Sequence, residues 1–485
     1  MASTNPARGM RDFLPSDVRK RNYVIGIIKS VYESYGFEPL ETPAVENIET
    51  LMGKYGEEGN QLIFKILKRG EKLKESRESR VESPENETPA PDSLSDLALR
   101  YDLTVPLARV VAHHKNDLPK FFKRYQIQPV WRADRPARGR FREFYQCDVD
   151  AIGSGSMLVE AELISAVSEI LTRLGFEAFS IYLNNRKLLT GILQSAGVAQ
   201  NQHVDVLTAF DKMDKIGPEG VGRELAERNV GSGILKFLDL TTSLATKGVD
   251  LFTHDFDAKT SLLKYNEISL QSLSGFITND ENGRQGIEEL EQILDLTKNT
   301  PAGEHIEINP RLARGLAYYT GTIMEIALLP EDNDSVFENF SVSLGGGGRY
   351  DGLIGMFGKE QIPACGFSLG LERILVVMAE RNMFPPEIAA SNSADLMVTI
   401  WNEDSIGESL KLANELRGED LRVTVYPEVD KLGKQLKYAD TISVPFACIL
   451  GDEEREQGKV LLKDMKSGEK FVLTVAEIVE RIKAV

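Results

Sequence analysis

The segment 121–152 constrains the fold more than any other part of the chain. Two strand-like runs, FFKRYQIQPVWRA and FREFYQCDVDAIG, flank the turn DRPARGR, which contains Pro136 and Gly139. Alternating apolar and polar residues on both sides of such a turn are typical of an antiparallel hairpin. The sequence therefore predicts a long antiparallel hairpin whose connecting loop is basic.

Helices are predicted on either side of this hairpin. Apolar residues recur at helical spacing over 17–35, where Ser16 or Asp17 can cap the start and Gly36 ends the pattern. A strand containing Pro43 follows. A second helix is predicted over 157–174, with Gly175 at its C-terminal end.

Composition excludes several classes of protein. No run of about 18 apolar residues is present, so we expect no membrane span, and residues 1–17 lack the apolar core of a secretion signal. The three cysteines, Cys147, Cys365 and Cys448, are far apart and indicate free thiols in a reducing, cytoplasmic compartment. The five histidines form no HxxH or HExxH pair, which argues against a zinc site.

The chain is long enough for several domains. We predict a catalytic domain over 1–185, a helical insertion over 186–302, the rest of the catalytic domain over 303–385 and an α/β domain over 395–485. The first part contains the stretch 70–92, which is rich in Glu, Ser, Pro and Lys. It is predicted to be a mobile loop between two strands, QLIFKIL before it and DLALRYDLT after it.

Positive charge is concentrated in the hairpin although the net charge of the chain is −17. Between Lys120 and Arg142 there are eight Lys or Arg residues and one acid. The turn region holds arginines beside aromatic residues, namely Arg132, Arg138, Arg140, Arg142, Trp131 and Phe141. Converging guanidinium groups bind phosphate oxygens, and aromatic rings can sandwich a purine. The alternative is a solvated basic loop, which we consider less favoured.

The hairpin resembles motif 2 of class II aminoacyl-tRNA synthetases. This resemblance implies that Arg132 holds the α-phosphate of ATP and the amino-acid carboxylate, and that Arg140 and Phe141 also belong to the ATP site. GFSLGLERI resembles motif 3, in which Arg373 matches the arginine at the γ-phosphate. The predicted first helix and the strand with Pro43 resemble motif 1, which forms the homodimer in that class.

Two further segments resemble the motifs specific to histidyl-tRNA synthetases. These are RGLAYYTG and GGGGRYDGLIGMFG, and Ala317 departs from the acidic residue that the family usually has in the first of them. The resemblance implies that Arg314 is catalytic, together with Arg132, and faces the α-phosphate. It also implies a histidine site made of Asp102, Thr104, Gln146, Asp150, Arg314, Tyr318 and Tyr319. For Asp102 alone, a turn or helix-cap residue is the other interpretation.

The C-terminal part resembles the anticodon-binding domain shared by several class II synthetases. The segments concerned are KLGKQLKYAD and ILGDEEREQGKVLLKDM. Candidate tRNA contacts are Lys434, Gln435, Tyr438 and Glu454, although a solvated helix face explains KQLKYAD nearly as well.

Together these resemblances imply an α+β fold, namely a class II antiparallel sheet with flanking helices, a helical insertion and a C-terminal α/β domain. They imply a cytoplasmic homodimer that uses ATP, Mg²⁺ bound through the ATP phosphates, histidine and tRNA(His). Two alternatives remain. One is a non-catalytic relative, either a paralogue that regulates the first enzyme of histidine biosynthesis or a sensor domain fused to a kinase. The other is another class II synthetase, such as the glycyl or prolyl enzyme.

Overall fold

The predicted hairpin lies within an eight-stranded sheet. The computed structural model describes residues 4–74, 94–210, 212–253, 258–277, 280–313, 318–329, 343–358, 360–389 and 394–484. These divide into two compact units, Met1–Met383 and Phe384–Val485. The predicted mobile loop lies largely outside the described residues, as do Arg314 and Ala317.

Eleven strands belong to the described part of the first unit. They are β1 (Glu38–Pro39), β2 (Val45–Asn47), β3 (Lys65–Leu67), β4 (Ser95–Leu99), β5 (Phe122–Trp131), β6 (Glu143–Ile152), β7 (Phe179–Asn185), β8 (Ile306–Ile308), β9 (Thr322–Leu328), β10 (Ser343–Arg349) and β11 (Ala364–Gly370). The large sheet has the order β1-β5-β6-β11-β10-β9-β7-β8, and β2-β4-β3 form a separate small sheet. Pairing is antiparallel except at the two edges, β1 with β5 and β7 with β8.

The main α-helices among the described residues of the first unit accompany these strands. They are α1 (Pro15–Ser34), α2 (Ile48–Leu51), α3 (Gly56–Gln61), α4 (Thr104–His113), α5 (Leu158–Arg173), α6 (Arg186–Ser195), α7 (His203–Phe210), α8 (Met213–Glu227), α9 (Gly233–Thr253), α10 (Ala258–Phe276), α11 (Glu281–Thr297) and α12 (Leu371–Glu380). The helices α6 to α11 occupy most of the predicted insertion, and β8 then pairs with β7 to rejoin the sheet.

The alternation of side chains in β6 explains why one face of the sheet is apolar and the other is polar. Cys147 and Val149 are fully buried, and α1, α5 and α12 contact one another or the central strands β6 and β11. The hydroxyl of Tyr32 in α1 donates to the carbonyl oxygen of Cys147 at 3.4 Å. Because successive strand residues point to opposite faces, Gln146 and Asp148 lie on the other face of the sheet. Helices therefore cover one face of the sheet, whereas the other face carries polar side chains.

One predicted strand is shorter than expected. DLALRYDLT was predicted to be extended throughout, but β4 ends at Leu99 and α4 begins at Thr104. The carboxylate of Asp102 accepts the backbone N–H of Val105 at 3.0 Å. A side-chain acceptor at this position satisfies a donor that the first helical turn leaves free, and so favours the start of a helix.

The second unit has its own sheet and core. Its strands are β12 (Leu396–Val398), β13 (Val423–Val425), β14 (Phe446–Ile449), β15 (Val460–Asp464) and β16 (Lys470–Leu473), in the order β13-β12-β14-β15-β16. Its helices are α13 (Pro386–Ala389), α14 (Ile406–Gly418), α15 (Leu432–Thr441), α16 (Asp452–Gln457) and α17 (Val475–Lys483). Leu396, Leu416 and Ile478 meet in an apolar cluster between sheet and helices.

No helix formed by the described residues is both long and apolar enough to cross a bilayer.

Candidate active site

A cavity of about 270 Å³ opens on the polar face of the first unit's sheet. Its walls come from the β5–β6 hairpin, from β10 and from the junction of β11 with α12. The lining residues are Arg132, Asp134, Gly139, Arg140, Phe141, Phe144, Gln146, Ser343, Leu344, Gly345, Gly346, Ser368, Gly370, Glu372 and Arg373. Four predicted ATP-site residues, Arg132, Arg140, Phe141 and Arg373, thus meet in one place although they come from separate segments.

Arg132 is firmly held at the end of β5. Its Nε atom donates to the carbonyl oxygen of Tyr101 at 3.0 Å. Its guanidinium carbon lies 4.3 Å from the ring centroid of Tyr101 and 5.2 Å from that of Phe144. These contacts fix the guanidinium plane at the cavity, as bidentate recognition of an oxyanion requires.

The other arginines of the loop differ in their roles. Arg140 lines the cavity, is 58% exposed at its side chain and pairs with Asp134 at 3.2 Å. Arg138 pairs with Glu380 of α12, and the Nε atom of Arg142 donates to the carbonyl oxygen of Asp134 at 3.0 Å. Arg138 and Arg142 therefore hold the loop, whereas Arg140 reaches the cavity with a largely exposed charge.

The junction of β11 and α12 supplies both an arginine and a buried acid. Arg373 donates from Nη1 to the carbonyl oxygen of Ser343 at 2.6 Å. Glu372 is 4% exposed and accepts the backbone N–H of Tyr145 at 3.1 Å. Burial raises the pKa of Glu372 to about 7, against the opposing effect of the Arg11 charge. This carboxyl group lies at the cavity wall and titrates near neutral pH.

A buried carboxylate lies beside this cavity at the start of α4. Asp102 is 1% exposed and accepts the hydroxyl of Tyr55 at 2.9 Å and, more weakly, that of Tyr318 at 3.5 Å. Burial raises the pKa of Asp102, while backbone N–H groups of Val105 and Thr104 and the charge of Arg132 oppose the rise. The hydrogen bond from Val105 supports the helix-cap interpretation of Asp102, and its place in the histidine site stays a prediction.

A second buried acidic group lies on β6. Asp150 forms an ion pair with Arg124 at 2.8 Å and accepts a short hydrogen bond from the hydroxyl of Tyr350. Asp148 is 2% exposed, and burial raises its pKa to about 7; Asp150 adds to the rise and Arg124 opposes it. The strand thereby places two carboxyl groups next to one guanidinium.

Gln146 lines the cavity and lies on β6, the strand that carries Asp148 and Asp150. Its Nε2 atom donates to the hydroxyl oxygen of Ser368 at 3.0 Å. Its Oε1 atom is buried and has no hydrogen-bond partner among the described residues. A buried acceptor without a donor is costly, so this oxygen is suited to an incoming N–H group.

The remaining predicted histidine-site residues lie nearby, with one outside the described part of the chain. Thr104 is the first residue of α4. The rings of Tyr318 and Tyr319 contact edge to face at 5.2 Å, and that of Tyr318 lies 5.9 Å from Tyr350. Arg314 falls outside the described residues, so its position stays a prediction.

Sequence reasoning gave no role to several residues of this network. Asp148 could have been found, because it alternates with Gln146 and Asp150 on the same strand face. Tyr55 and Arg124 gave no such signal, since their contacts with Asp102 and Asp150 join segments far apart in sequence.

The four residues predicted to contact the anticodon differ in how exposed their side chains are to solvent. Lys434 is 62% exposed at its side chain and pairs with Asp430, and Tyr438 is 41% exposed. The side chain of Glu454 accepts the backbone N–H of Gly451 at 3.1 Å. Gln435 is fully buried, and its amide bonds the backbone of Ile400 and Asp430. We therefore replace the predicted anticodon contact at Gln435 by a structural role.

No group of three or more His, Cys, Asp or Glu in the described part of the chain is arranged to hold a metal ion. The three cysteines are buried and unpaired.

The antiparallel sheet, with a basic hairpin and a second arginine segment around one cavity, defines a class II aminoacyl-tRNA synthetase. The family model described as "Histidyl-tRNA synthetase" matches residues 90–374, and that described as "Anticodon binding domain" matches 395–485. The chain therefore belongs to the histidyl-tRNA synthetase family.

Several known proteins are similar to this chain in sequence or in structure. Histidine–tRNA ligases of Christiangramia forsetii and Bacteroides fragilis (strain ATCC 25285) are 40% and 39% identical, covering 95% and 97% of this chain and the same shares of their own. The crystal structure of histidyl-tRNA synthetase from Nostoc sp. PCC 7120 has a TM-score of 0.75 at 31% identity and covers 100% of both chains. Apo histidyl-tRNA synthetase of S. aureus, at 20% identity and a TM-score of 0.65, covers 99% of this chain and all of its own and shares the fold.

Proposed function

We propose that this enzyme activates histidine with ATP and then transfers histidine to the 3′ end of tRNA(His). The observation that carries this proposal is the meeting of Arg132, Phe141 and Arg373 around one cavity beside buried carboxyl groups. Guanidinium groups suit a polyphosphate, and buried carboxylates suit an ammonium group. The cavity thus has the complementary charges that ATP and an amino acid require.

ATP is proposed to lie along the arginines. Arg132 would contact the α-phosphate and the histidine carboxylate, while Arg140 and Arg373 would contact the outer phosphates and Phe141 the adenine. Mg²⁺, bound through the phosphates, would further neutralise their charge, and we assign it no protein ligand. The fixed guanidinium of Arg132 supports this arrangement, because a preorganised cation stabilises developing charge without reorganising.

Histidine is proposed to bind across β6 and the start of α4. Its ammonium group would be held by Asp102, Thr104, Gln146 and Asp150. The Oε1 atom of Gln146 supports this placement, because it has no hydrogen-bond partner among the described residues and would gain a donor when the substrate binds. The imidazole has two distinct nitrogens, and the phenol groups of Tyr318 and Tyr319 are proposed to provide polar partners for it.

The chemistry follows from this placement. A carboxylate oxygen of histidine attacks the α-phosphorus, the bond to the bridging oxygen breaks and pyrophosphate leaves with the electron pair. Arg132 and, from the sequence, Arg314 would stabilise the charge on the α-phosphate. A terminal ribose hydroxyl of tRNA then attacks the histidyl carbonyl and releases AMP. Positioning and electrostatics would supply most of the rate.

The C-terminal unit is proposed to read the anticodon, through Lys434, Tyr438 and Glu454. The match of residues 395–485 to an anticodon-binding domain supports this role. A homodimer is also proposed, on the resemblance of the first helix and strand to motif 1. A cytoplasmic location is proposed because the three cysteines are unpaired. Sedimentation of the purified chain would test the oligomeric state.

Amino-acid-dependent exchange of pyrophosphate into ATP tests the proposal. A panel of amino acids should give exchange with histidine alone, and Arg314→Ala should lose most of it while the fold is retained. One solved structure of similar fold, from Bacillus halodurans, is that of an "ATP phosphoribosyltransferase regulatory subunit/histidyl-tRNA synthetase", at 18% identity and a TM-score of 0.64. A regulatory role would give no exchange with any amino acid, whereas another synthetase would prefer a different one.

A further inference from the structure

The segment before α1 lies against the cavity wall and has no role in the proposed reaction. The backbone N–H of Arg142 donates to the carbonyl oxygen of Gly9 at 2.8 Å. Gly9 has φ +84°, and a Cβ atom there would come within 2.7 Å of the Arg142 side chain and 3.0 Å of Pro136. Because this close approach and this backbone conformation both favour glycine, the segment is fixed on the hairpin loop.

Arg11, two residues further on, packs against Phe141, the aromatic residue proposed to contact the adenine. Its guanidinium carbon lies 3.5 Å from the ring centroid of Phe141 and 4.6 Å from that of Phe13. Phe141 lines the cavity, whereas Arg11 is outside the lining. A cation on one face of an aromatic ring attracts it through the ring quadrupole and restrains its orientation.

The same guanidinium faces the buried acid of the cavity wall. Its Nη2 atom lies 3.6 Å from Oε1 of Glu372, whose other oxygen accepts the backbone N–H of Tyr145. The Nε and Nη2 atoms of Arg11 are buried and have no hydrogen-bond partner among the described residues. The side chain is therefore held by an aromatic face and by a carboxyl group, both of which belong to the cavity.

We propose that Arg11 is a positioning residue for ATP, which fixes Phe141 against the adenine and Glu372 beside Arg373. This inference rests on the proposed function, since it assumes that ATP occupies the cavity. Arg11 acts through the two residues that it holds and does not itself touch the nucleotide. Its loss should therefore weaken ATP binding and leave the histidine site, on β6 and α4, unchanged.

Pyrophosphate exchange by the full chain tests this role in Arg11→Met and Arg11→Gln. Both remove the cation, and we expect the KM for ATP to rise roughly 10-fold, the effect of losing a partly desolvated cation–π contact. The KM for histidine and kcat should stay within about twofold. Arg11→Lys keeps the charge but lacks the planar group, so it should restore part of the affinity for ATP. Arg8→Met, at an exposed arginine of the same segment, is the matched control and should behave as wild type.

The outcomes separate this inference from the proposed function. If wild type shows no histidine-dependent exchange, the proposed function fails. If wild type exchanges but both Arg11 variants keep its KM for ATP, the positioning role is refuted. Equal rises in the KM for both substrates, or unfolding of both variants in a thermal melt, would give Arg11 a general structural role and also overturn the inference.

Discussion

Arg132 combines an observed structural contact with a proposed functional one. Its Nε atom is committed to Tyr101, so that the remaining N–H groups face the cavity with a fixed plane. Arg132→Lys keeps the charge but loses the planar fork, and exchange should fall by at least roughly 100-fold, the effect of removing one oriented donor from a developing oxyanion. Arg135→Lys, at an exposed arginine of the same loop, is the control and should change little. Equal activity of the two variants would refute the role of Arg132.

Glu372 predicts a dependence of stability on pH. Its pKa in the folded chain is about 7, above its ordinary value of 4.5, because the carboxyl group is buried. The folded state therefore holds this proton more tightly than the unfolded chain, and the stability contributed by the group falls as pH rises from about 4.5 to 7. Relative to wild type, Glu372→Gln should become more stable between pH 5 and pH 8, by up to about 3 kcal/mol.

Urea unfolding of wild type and Glu372→Gln at several pH values measures this difference directly. The glutamine keeps an oxygen that can accept the N–H of Tyr145, so the hydrogen bond at this site is retained. Other titrating groups are common to both proteins and cancel in the difference. A difference in unfolding free energy that stays constant from pH 5 to pH 8 would contradict the raised pKa.

At the level of secondary structure, the start of α4 combines a contact that stabilises the helix with a proposed contact to the substrate. Asp102 accepts the N–H of Val105 and is also a proposed ligand of the substrate ammonium. Asp102→Asn keeps an acceptor but loses the charge, so the KM for histidine should rise roughly 10- to 100-fold, the value of a hydrogen bond to a charged group. Asp102→Ala should in addition lower the free energy of unfolding by about 1–2 kcal/mol through the lost cap.

A matched control lies just beyond the end of the same helix. Asp117 is 77% exposed at its side chain, and Asp117→Asn should change neither the KM for histidine nor the stability. Exchange kinetics and thermal melts distinguish the two effects. An unchanged KM for histidine in Asp102→Asn would leave Asp102 with the capping role alone.

The close pairing of β11 with β6 leads to a second prediction at this scale, which concerns Gly366. A Cβ atom at Gly366 would come within 2.6 Å of the carboxyl carbon of Asp150, in the ion pair with Arg124. Gly366→Ala should therefore destabilise the first unit by about 1–3 kcal/mol, the usual cost of overpacking. Gly352→Ala is the control, because a Cβ atom there meets nothing within 4 Å. Thermal melts with equal shifts for both variants would contradict this view of the strand pair.

The sequence predicted elements better than it predicted contacts between them. The β5–β6 hairpin, α1 and α5 follow from local patterns, and their predicted limits lie within about two residues of the observed ones. The start of α4 was missed, because a strand-like composition was outweighed by the cap at Asp102. The buried pair Arg124–Asp150 and the contact of Tyr55 with Asp102 depend on tertiary packing, which alternation of side chains does not encode.

At the scale of the whole molecule, the proposed chemistry and the proposed tRNA recognition fall in different units. Every described residue that lines the cavity lies between Arg132 and Arg373, within Met1–Met383. The exposed anticodon candidates Lys434 and Tyr438 lie in Phe384–Val485, which has an apolar core of its own. Because each unit encloses its own core, activation of histidine and recognition of tRNA should be separable by truncation.

A chain that ends at Met383 provides the test. Exchange with histidine and ATP should stay within roughly 10-fold of the full chain, since the truncation removes none of the lining residues that the structure describes and a domain with its own core can fold alone. Transfer of histidine to tRNA should fall by at least roughly 100-fold, because stacking contacts of about 1–3 kcal/mol per base are lost. Loss of exchange from a truncated chain that still unfolds cooperatively would show that the second unit completes the activation site, and would refute the division of labour proposed for the two units.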